Sequence, residues 1–186
     1  RHLDFITRGI TKTVVITAEG QDVNRKHGVV IDNDTRFTAD KPYQIFDSLV
    51  VKQGATLTID PGVTLYFHNN AIMRVDGTLV SNGTPQQPVN FTGDRIDNVV
   101  NDIPFDLMSG QWAGLEFTST SRNNYMTHTS IRNTMWGVVV DSVGTQDNPA
   151  LTLINCRLRN SQEFALAAIH SDIKAVGCEI ADAATG

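Results

Sequence analysis

Four aspartates and an arginine in one short stretch, Asp94, Arg95, Asp97, Asp102 and Asp106, are the residues whose types and spacing come closest to chemistry. Carboxylates at this density can share a hard cation, and Asp94, Asp97 and Asp102 are the candidate ligands for calcium. A cation beside a bound acidic sugar would acidify the proton next to the sugar carboxylate, and Arg95 is the candidate base to remove it, the step of a polysaccharide lyase. A glycoside hydrolase needs instead two carboxylates within several ångströms of each other. Asp94 or Asp97 could form that pair with Asp102 or Asp106 only if the stretch folds back on itself, and Glu116 is the nearest acid on an ordered strand. The spacings match no calcium-loop motif, so the competing reading is a solvated loop without catalytic role.

Other chemistry is weaker. Histidines at 2, 27, 68, 128 and 170 have no metal-ligand spacing, and the chain lacks a nucleophile elbow, a phosphate-cradling loop and a dinucleotide fingerprint. Lysine and arginine total 15 against 20 acids, a net charge of −5, with no basic cluster to track a phosphate backbone. Nucleic acid is therefore excluded as a partner. No apolar run reaches 18 residues and no signal-peptide pattern starts at Arg1, so a membrane would be reached only through an anchor outside this chain.

The elements that must position these residues are short strands in a repeat of roughly 22 to 27 residues, the pattern of a β-solenoid. Leu151, Cys156 and Leu158 recur 22 positions on as Ile173, Cys178 and Ile180, and Ile131-Arg-Asn133 recurs 27 positions on as Leu158-Arg-Asn160. Alternation predicts strands at residues 44–51, 55–59, 63–67, 71–75, 78–80 and 89–92. Leu49, Leu57, Ile59, Leu65, Phe67, Leu79, Val89 and Phe91 face inward in them, and helix is almost absent. Asp60-Pro-Gly62 is a turn, since proline presets its first central position and glycine tolerates positive φ at the next. Spacings of 24 from Phe67 to Phe91 and 26 from Phe91 to Phe117 predict a phenylalanine stack along the core. Between Phe91 and Trp112 the alternation lapses, which predicts an excursion without sheet, and long excursions are where function concentrates.

Alternation also predicts what the outer faces display. Arg132 and Arg159 stack outward, a pair that could contact an acidic glycan, and Tyr66, Asn90, Glu116 and Val139 form a second outward column as a weak sugar-binding surface. Asn133, Asn160 and Asp182 fall at one corner, where the left-handed conformation suits them and stacked amides would form a structural ladder. Cys156 and Cys178 stack in register with side chains parallel, which favours free thiols over a disulfide. Trp112 and Trp136 enter strands before Gly114 and Gly137 and are expected to cover the core.

Asp34-Thr-Arg-Phe-Thr-Ala-Asp-Lys-Pro-Tyr43, Asp47-Ser-Leu-Val-Val51, Ala55-Thr-Leu-Thr-Ile-Asp-Pro-Gly-Val-Thr-Leu-Tyr-Phe67 and Gly110-Gln-Trp-Ala-Gly-Leu-Glu-Phe117 resemble the right-handed parallel β-helix proteins of bacterial cell surfaces. The likeness is strongest to secreted or lipid-anchored members without assigned activity. It implies an all-β, single-stranded parallel β-helix of about five rungs over residues 29–186, preceded by a strand pair within 1–28. The strands around Gly9, 3–7 and 13–17, within a stretch ending at Asp22, resemble the close of an immunoglobulin-like module. Residues 180–186 stop where a cap is expected, which predicts missing rungs or end-to-end self-association. The superfamily includes pectate lyases, but the fold does not carry that activity with it. The resemblance implies an extracellular or outer-membrane surface location. Asp47-Ser-Leu49 and Asp141-Ser-Val143 resemble a bacterial O-glycosylation pattern, while Asn33, Asn82 and Asn90 match an acceptor triplet. Three functions follow: a non-catalytic module that meets a polysaccharide or surface protein, an enzyme centred on the acidic loop, and a rigid spacer.

Overall fold

The computed structural model describes residues 2–15, 22–100 and 102–184, with the backbone alone of Val100. Three parallel sheets coil into a solenoid of about six turns. Solenoid pairing begins at Asn24, where strand Asn24–Ile31 lies parallel to Tyr43–Val51. Both strands bend midway, so that their first halves start one face and their second halves the next. Sheet A continues through Thr64–Phe67, Val89–Gly93, Thr129–Arg132, Arg157–Arg159 and Glu179–Ile180. Sheet B continues through Ile72–Val75, Gly114–Phe117, Val138–Val140 and Leu166–Ala168. Sheet C holds Thr35–Phe37, Thr56–Ile59, Thr78–Asn82, Asn124–Thr127, Leu151–Ile154 and Ile173–Val176. One three-residue 3-10 turn, Phe105–Leu107, interrupts the strands.

The corners explain the coil. At every crossing out of sheet A but the fourth the chain turns through a residue at positive φ, in order Gly28, Asp47, Asn70, Asn133, Asn160 and Asp182. Only glycine, or a short polar side chain that bonds locally, takes this conformation cheaply. Between corners, alternate residues point inward: Ile45, Leu49, Leu57, Ile59, Leu65, Phe67, Leu79, Val89 and Phe91 are all fully buried. One polar residue interrupts the column Leu57, Leu79, Asn124, Leu151. Asn124 is tolerated there because its side chain accepts from the Leu79 amide at 2.9 Å and donates to Ser121 Oγ and the Ala150 carbonyl.

The predicted phenylalanine stack forms only in part: the Phe67 and Phe91 rings meet edge to face with centroids 6.1 Å apart, but Phe117 does not join them. Phe91 pairs with Leu65 and Ile131 on sheet A, whereas Phe117 lies on sheet B between Val75 and Val140. The true step from Leu65 to Phe91 is 26 residues, not 24. A shift of two preserves which side chains point inward, so alternation alone cannot tell the two registers apart. The same error undoes the column of Tyr66, Asn90, Glu116 and Val139. Tyr66 pairs with Thr92 and Asn90 with Thr64, while Glu116 and Val139 belong to sheet B.

At the N-terminus, His2–Thr7 and Ile10–Val15 form an antiparallel hairpin turned by Arg8 and Gly9, both at positive φ, the two-residue turn that matches strand twist. Ile16 and Thr17 of the expected second strand lie outside the described residues, as do residues 18–21 of the expected module and Thr185 and Gly186. Leu3, Phe5, Ile10 and Val14 of the hairpin are exposed. In the last turn Val176 and Ile180 are also exposed.

Candidate functional site

The fourth turn leaves sheet A at Gly93 and enters sheet B at Gly114. The intervening residues 94–113 contain sheet after all: Asn98–Val100 and Ile103–Pro104 pair as a small antiparallel hairpin, followed by the 3-10 turn. The expectation of an excursion without strands fails because these pairs are too short for alternation to register. Side chains from the solenoid tie the excursion down. Buried Gln111 donates Nε2 to the carbonyls of Phe105 (2.8 Å) and Met108 (3.0 Å). Buried Asn133 donates Nδ2 to the carbonyls of Asp106 (2.6 Å) and Met108 (2.9 Å), and its Oδ1 accepts from Thr92. Trp112 is fully buried, stacks on Phe67 with centroids 4.0 Å apart, and donates Nε1 to the Arg132 carbonyl. Gly93 leaves room for Gln111, since a Cβ there would come 2.7 Å from Gln111 Cβ and displace its side chain.

The expected amide ladder is thereby corrected. Asn133, Asn160 and Asp182 do share the left-handed corner. The Asn133 amide, however, is spent on the excursion, and the Asp182 carboxylate accepts from Arg159. Of the tryptophans, Trp112 is core, while Trp136 stays 39% exposed against the outer face of sheet B.

The acidic residues are dispersed among separate partners. Asp94 follows the last residue of its sheet A strand and accepts from Gln44 Nε2 (2.9 Å) and His68 Nδ1 (2.7 Å). Asp97 is gripped by Arg95 through two bonds of 2.6 and 2.5 Å, and the guanidinium lies 3.9 Å above the Phe105 ring. The Arg95 hydrogen bonds hold the Asp97 carboxyl below the usual aspartate range, and Arg95 is raised in turn. Asp106 pairs with Arg132 at 2.9 Å, and Asp102 is exposed. Glu116 lies on sheet B, 3.7 Å from Arg74. Among the described residues no three His, Cys, Asp or Glu side chains gather as metal ligands.

What the structure does bring together is a groove of about 400 Å³ between the outer face of sheet A and the excursion. Tyr66, Asn90 and Thr92 form its floor, with Arg95, Asp106 and Arg132 at its sides. Arg159 stacks one turn beyond Arg132 but is bound to Asp182 and Glu179, which offsets the repulsion between the two like charges. Electrostatically the groove carries paired charges at its edges over a neutral hydrogen-bonding floor.

No family model, no curated protein and no solved structure matches the chain.

Four residues important to this region escaped the sequence reading: Gln44, His68, Gln111 and Ile96. The 26-residue register would have found one contact, because His68 and Asp94 are separated by the same step as Leu65 and Phe91. Gln111 left no sequence signal, since its role depends on how the excursion returns.

Proposed function

We propose that this chain is a non-catalytic β-helix module of the bacterial cell surface, and that the groove on sheet A binds a polysaccharide. One observation carries the reading: three of the four loop aspartates are committed to their own cationic or hydrogen-bonding partners, leaving a groove of hydroxyl, amide and guanidinium groups around Tyr66. Such a surface suits sugar hydroxyls, which need donors and acceptors in alternation, with one aromatic to cover an apolar sugar face. The Arg132 side chain, about half exposed beside Asp106, would favour acidic polymers over neutral ones.

A polysaccharide lyase is the second reading, and the Asp94–His68 pair is the observation in its favour. The carboxylate accepts from Nδ1, which leaves Nε2 as the acceptor nitrogen of a half-exposed ring two residues along the strand from Tyr66. Calcium would enter either reading only together with the ligand, since three of the four loop carboxylates are otherwise engaged.

Calorimetric titration with acidic and neutral polysaccharides, with and without calcium, separates these readings. Saturable heat with an acidic polymer, lost in Arg132→Ala and weakened in Tyr66→Ala, is the expected result. Sustained heat abolished by His68→Ala would establish turnover instead, and silence with every polymer would overturn the glycan reading in favour of a spacer or a protein-binding surface.

A further inference from the structure

The corner from sheet C to sheet A carries the chain's two cysteines in successive turns. Cys156 follows Asn155 and Cys178 follows Gly177, each at positive φ, so both leave the same kind of corner. The pairing of Arg157 with Glu179 and Leu158 with Ile180 places the two cysteines directly opposite each other. Neighbouring turns lie about 4.8 Å apart. Both thiols are free, Cys156 buried and Cys178 half-buried, and both line a groove of about 500 Å³ beside residues 84–88.

Parallel side chains at that spacing are poorly set for a disulfide, which wants Cβ atoms about 3.5–4.5 Å apart and directed toward each other. The same spacing is close to twice a metal–thiolate bond of about 2.3 Å. Inward side chains stand across the stacking axis, so a cation between the two sulfurs would meet each at the bent angle that a thiolate offers. We propose that Cys156 and Cys178 form a two-coordinate site for a soft monovalent cation, copper(I) or silver(I) in kind. Thiolates select soft ions, and no third His, Cys, Asp or Glu among the described residues completes the shell that calcium or zinc would need.

Binding replaces two S–H bonds with two S–metal bonds and releases two protons to water, leaving a bis-thiolate complex of charge −1. The charged and titratable groups around it are His128, Arg157 and Glu179, with Arg157 3.4 Å from Glu179. Because both thiols give up their protons on binding, affinity rises with pH. Neither cysteine lines the polysaccharide groove, although Asn90 borders both.

Titration of the reduced full chain with silver nitrate, followed by native mass spectrometry, tests this. One silver per chain is expected, with both thiols protected from alkylation, two sulfur neighbours by X-ray absorption, and tighter uptake at higher pH. Cys178→Ser and Cys156→Ser should each lose the bound silver, and Cys178→Ser, at the more exposed position, decides alone if the other variant fails to fold. Retention of silver by Cys178→Ser, two silvers bound separately, no uptake by the folded chain, or a spontaneous Cys156–Cys178 disulfide would each overturn the site.

Discussion

The corner between sheets A and B is crossed in two ways. In the second and sixth turns a single left-handed residue, Asp47 or Asn160, turns the chain and in the fifth Asn133 does so with Gly137, whereas the fourth turn spends residues 94–113 on the same step. Yet Gly114–Phe117 resumes its place between Ile72–Val75 and Val138–Val140 without loss of register. A solenoid tolerates this because each turn is held by its neighbours, and lengthening a loop adds little closure entropy. The insertion is not left loose: Asn133, one turn later, gives its amide to the excursion, while Asn160 at the equivalent corner does not serve that loop. A recognition surface is thus added at a corner while the core layers continue beneath it.

Breaking the anchor should give the largest effect. Trp112→Ala removes a fully buried ring stacked on Phe67 and is expected to cost about 3–5 kcal/mol, whereas Trp136→Ala, at a partly exposed ring, should cost about 1 kcal/mol or less. Chemical denaturation of both variants checks this, and equal losses would mean that the excursion is not tied through Trp112. The two corner asparagines give a finer comparison. Asn133→Ala strands the Asp106 carbonyl and the Thr92 hydroxyl and leaves the Met108 carbonyl to Gln111 alone, which should cost about 2–3 kcal/mol, with faster amide exchange in residues 105–111. Asn160→Ala shares only the penalty of alanine in the left-handed region, about 1 kcal/mol, and should leave that exchange unchanged.

The fold was legible because a repeat states its architecture many times over. Leu151 with Ile173 and Leu158 with Ile180 pair as their 22-residue spacing predicts, and Arg132 with Arg159 as their 27-residue spacing predicts. The site was legible only in part. Tyr66, Arg95, Asp106 and Arg132 do share a groove, but Asp94, Asp97 and Asp102 do not form the expected calcium set. Charge density along a chain says that carboxylates are near one another, whereas their partners come from other turns: Asp94 is claimed by Gln44 and His68, from two different turns. Those partners become visible only once the register is fixed, and alternation leaves the register open by steps of two.

The smallest effect concerns how the excursion's tip is held. Arg95 grips Asp97, whose backbone carbonyl also accepts from the Phe105 amide at 2.8 Å, so the clamp joins both arms of the small hairpin. Because Arg95 depresses the Asp97 carboxyl in the folded chain, the unfolded chain takes up that proton more readily. The contribution is therefore complete above the unfolded value of about 3.9 and is lost as pH falls through the lower folded value. Both side chains are about half exposed, so solvent screening keeps the effect small and added salt weakens it further. An NMR titration should find the Arg95 Nε–H and Phe105 amide signals constant from about pH 7 to pH 5, with a shared midpoint below about 3.9. Arg95→Gln should return the Asp97 midpoint to the ordinary range without disturbing Asn133 or Trp112. A midpoint at or above the ordinary value in the unaltered chain would mean that the tip is held by Asn133 and Gln111 alone, which would place the whole contrast between the two kinds of corner in the solenoid's own side chains.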